Sequence, residues 1–266
     1  MPAPNEITVA QLARRIGTFD APAILDLRTD EDFRDEPRLV PGARRHRFDR
    51  IAELAPRLRD RPTVVYCQKG RKISQGAAAM LRWNGVPAEV LEGGQLAWRD
   101  AGAPTVEADA LPPPGDTGRA VWVTRHRPKI DRIAVPWLIR RFVDPDAVFL
   151  FVPPADVAPV AERFGATPFD VEGAPFSHHG ERCTFDAALA TFGLRSAALD
   201  ALATLVRAAD TNRHDLAPEA AGLLAISVGL SRMHRDGVAQ LDAGMAIYDA
   251  LYRWARDGRD EGHDWP

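Results

Sequence analysis

Thr63-Val64-Val65-Tyr66-Cys67-Gln68-Lys69-Gly70-Arg71-Lys72-Ile73-Ser74 joins a short β-branched apolar run, a single cysteine, a basic loop and a helix start. Four consecutive apolar or β-branched residues bounded by turn signals read as a buried strand, and a helical pattern follows over Ser74 to Trp83. Outward from this stretch the same alternation recurs. Ala23 to Leu27 and Ala88 to Leu91 are further apolar runs, each followed by a loop and a helix-like segment. Thr8 with Gln11 three residues on makes a capping box for a first helix. Strands alternating with helices predict a parallel sheet with flanking helices. A loop closing from such a strand onto a helix turns backbone N–H groups inward, so the helix dipole together with Lys69, Arg71 and Lys72 favours an anion beside Cys67. The same field is expected to lower the thiol pKa, and a thiolate is a nucleophile. The alternative is that Cys67 is a buried structural thiol.

Other residues around this loop form recognisable motifs. Asp26-Leu27-Arg28 with Glu31, Val40-Pro41-Gly42-Ala43, and Glu92-Gly93-Gly94 with Ala97-Trp98, Ala101-Gly102 and Pro104 stand at consistent distances from Cys67. Over roughly residues 5 to 107 the chain resembles the rhodanese-like sulfurtransferases. The resemblance implies that Cys67 takes sulfane sulfur from thiosulfate or a related persulfide donor and passes it to a thiol or to cyanide. It further implies that backbone N–H groups from Gln68, Lys69, Gly70, Arg71, Lys72 and Ile73 hold the persulfide, and that no cofactor is required. Two departures are visible. The sixth loop residue is Lys72 where the common form has arginine, and Ile73 stands where a phosphatase loop of the C-x5-R type places its phosphate-binding arginine. Asp26 and Arg28 read as an ion pair supporting the loop.

The chain has 266 residues, 45% hydrophobic and 27% charged, with 34 Lys and Arg against 37 Asp and Glu for a formal charge of -3. Such a length favours two domains. The balance gives no global positive field for nucleic acid or an anionic membrane. Two cysteines far apart suggest neither a disulfide framework nor a metal clip, and the absence of a basic n-region and apolar h-region in the opening residues sets the expectation of a cytoplasmic protein. The Pro-rich stretch 108–118 is expected to run extended as a linker between residues 1–107 and a mainly helical α+β domain over 119–266. In this second domain strands are expected at Ala120 to Thr124, Ala147 to Val152 and Phe169 to Val171. Pro218 to Leu230 is expected as a helix at the bundle centre. Gly237 to Arg256 is expected as a helix burying Val238, Leu241, Met245, Tyr248 and Tyr252.

Two segments of this domain carry chemistry. Trp122 to Arg132 is strongly basic and is a candidate oxyanion site. If Lys129 to Phe142 is one helix, Lys129, Arg132 and Arg140 share an edge, with Arg125 nearby, although Pro136 could kink it. The alternative is a solvated basic face. Ser177 to Asp186 gathers imidazole, carboxylate and thiol, so His179 and Cys183 with Asp210 or His214 are candidate metal ligands. The competing reading makes Thr184 an N-cap and Cys183 a buried small hydrophobe. From about Trp122 to Trp254 the chain resembles the C-terminal domain of ChrB-type chromate-resistance proteins. The resemblance is carried by Arg125-x-Arg127-Pro128-Lys129-Ile130-Asp131-Arg132-Ile133-Ala134, Pro136-Trp137-Leu138-Ile139-Arg140-Arg141-Phe142, Cys183-Thr184-Phe185-Asp186 and Ala209-Asp210-Thr211. It implies a response to chromate. Val135 stands where relatives often have cysteine. The rhodanese-like domain occupies the place of the DNA-binding region found in longer regulators of that family, so transcriptional control does not transfer.

Overall fold

The computed structural model describes residues 4–113 and 119–262. It divides into two compact units, residues 1–111 with 141–145, and residues 112–140 with 146–266. The linker stretch is only partly described, since 114–118 lie outside. Its first residues are not extended as expected, because Ala108–Ala110 form a 3-10 turn directly after a strand.

The first unit is built from β1 (Glu6–Ile7), α1 (Val9–Arg15), β2 (Ala23–Asp26), α2 (Asp30–Asp35), β3 (Arg38–Leu39), β4 (Ala43–Arg45), α3 (Ala55–Leu58), β5 (Thr63–Tyr66), α4 (Lys72–Trp83), β6 (Ala88–Leu91), α5 (Gly94–Asp100) and β7 (Val106–Glu107). Five strands form a parallel sheet in the order β1-β6-β5-β2-β4. The strands β2 and β5 are buried along their whole length, as strands covered on both faces must be. Leu25, Leu27, Val65 and Val90 pack with Ala77, Ala78 and Leu81 of α4 into one core, and Ile73 rests against it. The Thr8–Gln11 capping box that starts α1 is present with both reciprocal bonds. The central strand β5 therefore leads directly into Cys67, at the carboxyl edge of the sheet where open α/β folds bind ligands.

The second unit is mainly helical around a small parallel sheet. Its elements are β8 (Val121–Arg125), α6 (Asp131–Leu138), β9 (Val148–Val152), α7 (Val157–Phe164), β10 (Thr167–Pro168), α8 (Thr184–Phe192), α9 (Ala197–Asp210), α10 (Ala220–Met233) and α11 (Gly237–Arg253), with sheet order β10-β8-β9. Phe169 is not in a strand run as expected but makes an isolated bridge to Phe176. The helix expected over Lys129 to Phe142 is shorter. It starts at Asp131, contains Pro136, and turns into a π-helical segment at Ile139–Val143. Every residue of α6 except Arg132 is buried, so this helix and not α10 lies at the heart of the bundle.

The helix α10 is peripheral, with Ile226 and Val228 49% and 40% exposed and open space beside Gly222 and Gly229. Small residues that permit close packing are no proof that a neighbour is there. On α11 the buried seam is Leu241, Met245, Tyr248 and Tyr252 together with Gln240 and Gly244, while Val238 is 41% exposed. Gly244 is required by close approach: a Cβ there would meet Ile133 of α6 at 2.7 Å.

Candidate functional site

In the first unit, Cys67 is 5% exposed at the mouth of the loop between β5 and α4. The loop is closed from below by the Glu92-Gly93-Gly94 turn. Gln95 and Leu96 donate their backbone N–H groups to the carbonyls of Cys67 and Gln68 at 3.0 and 3.1 Å. The approach leaves no room for side chains. A Cβ on Gly94 (φ +62) would meet the Cys67 carbonyl at 2.1 Å, and one on Gly70 (φ +61) the Leu91 carbonyl at 2.5 Å. Both glycines also hold a left-handed conformation that other residues adopt only with strain.

The Ser74 hydroxyl lies 3.2 Å from Cys67 Sγ and 3.1 Å from the Arg71 carbonyl. Burial pushes the Cys67 thiol up, but the Ser74 hydroxyl and the backbone N–H groups of Ser74, Arg71 and Lys69 outweigh it, and the thiol sits below the ordinary cysteine value. The side chains of Lys69, Arg71 and Lys72 are exposed. The lowered value thus goes with oriented donors around the start of α4, the inward N–H groups expected from the sequence, and not with the side-chain cations expected beside them. Ser74 is the partner that sequence reasoning used only as a helix marker; its position one turn into α4 was the available signal. Ile73, expected beside the substrate, packs its side chain on the core.

Asp26 and Arg28 form a fully buried ion pair at 2.6 Å. The same guanidinium donates to the carbonyls of Glu36 and Arg38 at 2.9 and 2.7 Å, and Leu27 N–H donates to the Tyr66 carbonyl at 2.8 Å. The pair therefore fixes the α2–β3 connection beside the strand that carries Cys67. It is a brace rather than a reacting group.

In the second unit, the basic segment runs from the end of β8 into α6 through two residues of positive φ, Arg127 (+54) and Ile130 (+38). A β-branched residue there is strained by roughly 1–3 kcal/mol. Three groups that sequence reasoning did not connect to this loop hold it. Ser227 of α10 accepts the Ile130 N–H at 3.1 Å, Tyr248 of α11 donates to the Ile130 carbonyl at 3.0 Å, and Gln240 donates to the Pro128 carbonyl. The result is a cavity of about 420 Å³ lined by Arg125, Arg127, Lys129, Arg132, Ser231 and Arg232, among others. Within it Arg125 Nε and Ser231 Oγ are buried without a hydrogen-bond partner among the described residues. Arg140 is not part of this group: it pairs with Asp242 at 3.1 Å and lies over the Phe149 ring. The shortened helix sends it to another side.

Behind the basic loop the structure brings together side chains from four segments. Asp131 opens α6, Asp170 follows β10, His178 lies in the loop before α8, and Asp210 ends α9. His178 Nε2 is 3.1 Å from Asp210, 3.5 Å from Asp131 and 3.6 Å from Asp170. Asp131 also caps α8, accepting the N–H groups of Thr184 and Phe185 at 2.5 and 3.3 Å. Asp170 receives Arg125 and Arg132, each at 3.1 Å, on one oxygen and the Thr184 hydroxyl on the other. Burial, with the charges of Asp210 and Asp170, holds the Asp131 carboxyl well above the usual range, and burial beside Asp170 raises Asp210 against the opposing charge of His178.

The candidate ligands expected from sequence do not all come together here. Asp210 belongs, but His178 takes the place of its neighbour His179, which is exposed and makes a backbone pairing with Arg182. Cys183 is fully buried as the N-cap residue of α8, and Thr184 is the first residue of the helix instead of its cap. Burial and the charges of Asp131 and Asp186 push the Cys183 thiol far up, which keeps it protonated. His214 is not in the group.

With both sites on the page, the chain can be set beside known proteins. The rhodanese-like domain family matches residues 8–101, and the ChrB C-terminal domain family matches residues 122–255. Protein ChrB of Cupriavidus metallidurans is 31% identical over 232 residues, covering 77% of this chain and 69% of its own. Among solved structures, a rhodanese-related protein from Thermoplasma volcanium is 24% identical with a TM-score of 0.34, covering 39% of this chain and 98% of that one. A thiosulfate sulfurtransferase from Pseudomonas aeruginosa is 26% identical with the same TM-score of 0.34, covering 41% of this chain and 21% of that one. The chain belongs to the ChrB family, its ChrB C-terminal domain following a rhodanese-like domain.

Proposed function

We propose that the protein is a sulfurtransferase that carries sulfur as a persulfide on Cys67 and serves a response to chromate in the cytoplasm. The observation that carries this reading is the setting of Cys67 Sγ at the carboxyl end of the central strand, 3.2 Å from the Ser74 hydroxyl and facing backbone donors at the start of α4. The Cys67 thiolate attacks the sulfane sulfur of thiosulfate, the new S–S bond forms as the sulfur–sulfur bond of the donor breaks, and sulfite leaves with the electron pair. The persulfide is held by the donors that lower the thiol pKa. An acceptor thiolate, or cyanide in assay, then takes the outer sulfur and returns Cys67 as thiolate. Neither step calls for a cofactor.

Thiosulfate:cyanide transfer by the full chain beside Cys67→Ser, with intact mass to find one added sulfur, tests the reading. Turnover and added mass that both vanish in the variant are expected. Turnover surviving in Cys67→Ser, or no added sulfur from any persulfide donor, overturns it.

A second reading is favoured by the cavity at Arg125, Lys129 and Arg132, whose buried Arg125 Nε and Ser231 Oγ have no hydrogen-bond partner among the described residues. Here the second domain binds an oxyanion such as chromate and the thiol of the first domain has no turnover of its own. Titration of chromate and of sulfate against wild type and Lys129→Ala distinguishes them. Saturable binding weakened by the substitution supports this reading, and binding unchanged by it removes the site.

A further inference from the structure

Three aspartates and one imidazole of the second unit converge from segments far apart in sequence, and neither reading above uses them. Burying carboxylates is costly unless a cation or several hydrogen bonds compensate. The two arginines that reach the group, Arg125 and Arg132, both engage Asp170 Oδ2. Asp131, with a side chain 1% exposed, accepts from two backbone N–H groups, meets the Cys183 thiol and faces His178. Asp210 faces His178 and the Asp131 backbone N–H, with the charge of Arg132 acting on it as well.

The imidazole itself points to a ligand. Its Nε2 lies 3.1 Å from Asp210, 3.5 Å from Asp131 and 3.6 Å from Asp170, so one ring nitrogen is shared among oxygens of all three aspartates. A ring nitrogen serving as a donor aligns with one acceptor; one that ligates shares a centre with several oxygens. Ligand atoms of Asp131, Asp170 and His178 all lie within 4.8 Å of one another, the spread of donors around one ion.

We propose that Asp131, Asp170, His178 and Asp210 bind a single divalent first-row transition-metal ion. Three carboxylates and one imidazole suit Mn2+, Fe2+ or Zn2+, whereas Mg2+ and Ca2+ take oxygen ligands almost alone. The ion adds to the positive charge that Arg125, Arg132 and His178 bring to the three carboxylates. Because Arg125 and Arg132 hold Asp170 and also line the basic cavity, an ion here adds to the positive field of that cavity.

The test uses the untagged full-length chain, stripped with chelator and titrated with Mn2+, the free ion being read by electron paramagnetic resonance, with Zn2+ as a second probe and Mg2+ as competitor. Wild type is expected to take up one equivalent that excess Mg2+ does not displace. His178→Gln and Asp210→Asn are each expected to weaken uptake by about tenfold or more, as loss of a ligand does. His179→Gln, one residue away and exposed, is expected to bind as wild type. Asp131 is avoided because its carboxylate also caps α8, and circular dichroism of each variant confirms that it is folded. No saturable uptake of either ion, or equal uptake in all four proteins, overturns the proposal. The readout does not involve Cys67, so failure here leaves the sulfurtransferase reading standing.

Discussion

The two cysteines of this chain are almost equally buried, Cys67 at 5% and Cys183 at 0% exposure, and their surroundings drive them in opposite directions. Both face a helix start, where the dipole favours a thiolate, Cys67 across the loop that leads to α4 and Cys183 as the N-cap of α8. At Cys67 that tendency is completed by the Ser74 hydroxyl and converging N–H groups, and the thiol falls below its ordinary value. At Cys183 the helix start is already occupied by carboxylates: Asp131 accepts two of its N–H groups and Asp186 accepts the Cys183 N–H. Their negative charge and burial raise the thiol. Position at a helix start is therefore not enough to make a reactive cysteine: helix N–H groups of Phe185 and Asp186 reach the Cys183 sulfur too, and burial with two nearby carboxylates outweighs them.

The sharpest break of this comparison is removal of each sulfur in turn. Cys67→Ser is expected to lower thiosulfate turnover by about a thousandfold or more, as loss of a nucleophile does, while Cys183→Ala leaves it unchanged in steady-state assay. Equal loss in both would show that the two cysteines act together. Next in size is the brace under the reactive loop. Arg28→Ala strands Asp26 in the core and is expected to destabilise the first unit by about 3–5 kcal/mol in urea unfolding. A change under 1 kcal/mol would mean that water reaches the pair.

Ser74→Ala sharpens the cause of the pKa difference. Cys67 has a lowered folded pKa, so below that pKa its thiolate fraction scales with the acid constant. Loss of a donor that raises the pKa by about one unit slows alkylation by iodoacetamide about tenfold at low pH. The two rate profiles must then converge once pH passes both values, and Cys183 must stay unmodified throughout in the folded chain. A uniform slowing at every pH would point to lost access instead. The smallest effect belongs to the exposed cations. Lys69→Ala combined with Lys72→Ala is expected to change the alkylation rate by less than about twofold, and that change should fade with added salt. A tenfold effect would restore the side-chain cations to the role the sequence suggested.

The first unit was legible because its site is local. The strand, the cysteine, the loop and the helix start are consecutive residues, and the glycines that let the Glu92 turn close beneath them form a motif of their own. Strand periodicity placed Thr63–Tyr66 and Ala88–Leu91 where they are found. In the second unit the same methods recovered elements but not their assembly. Small residues along Pro218 to Leu230 suggested a central helix, yet α10 lies outside, since composition records what packing a helix permits and not which neighbour arrives. The basic segment was visible, but its shape depends on Ser227, Gln240 and Tyr248 reaching back from helices about a hundred residues away.

By itself, then, the sequence determined the fold class of both units and singled out Cys67 as a candidate, because hydrophobic period, turn residues and a loop between adjacent elements are properties of neighbouring residues. Only the tertiary structure decided that the Ser74 hydroxyl faces the sulfur while the lysines are exposed, that Arg140 leaves the basic group, and that His178 joins Asp131, Asp170 and Asp210. Those outcomes depend on where a helix ends and on which side chains meet across long separations, and both are settled by packing.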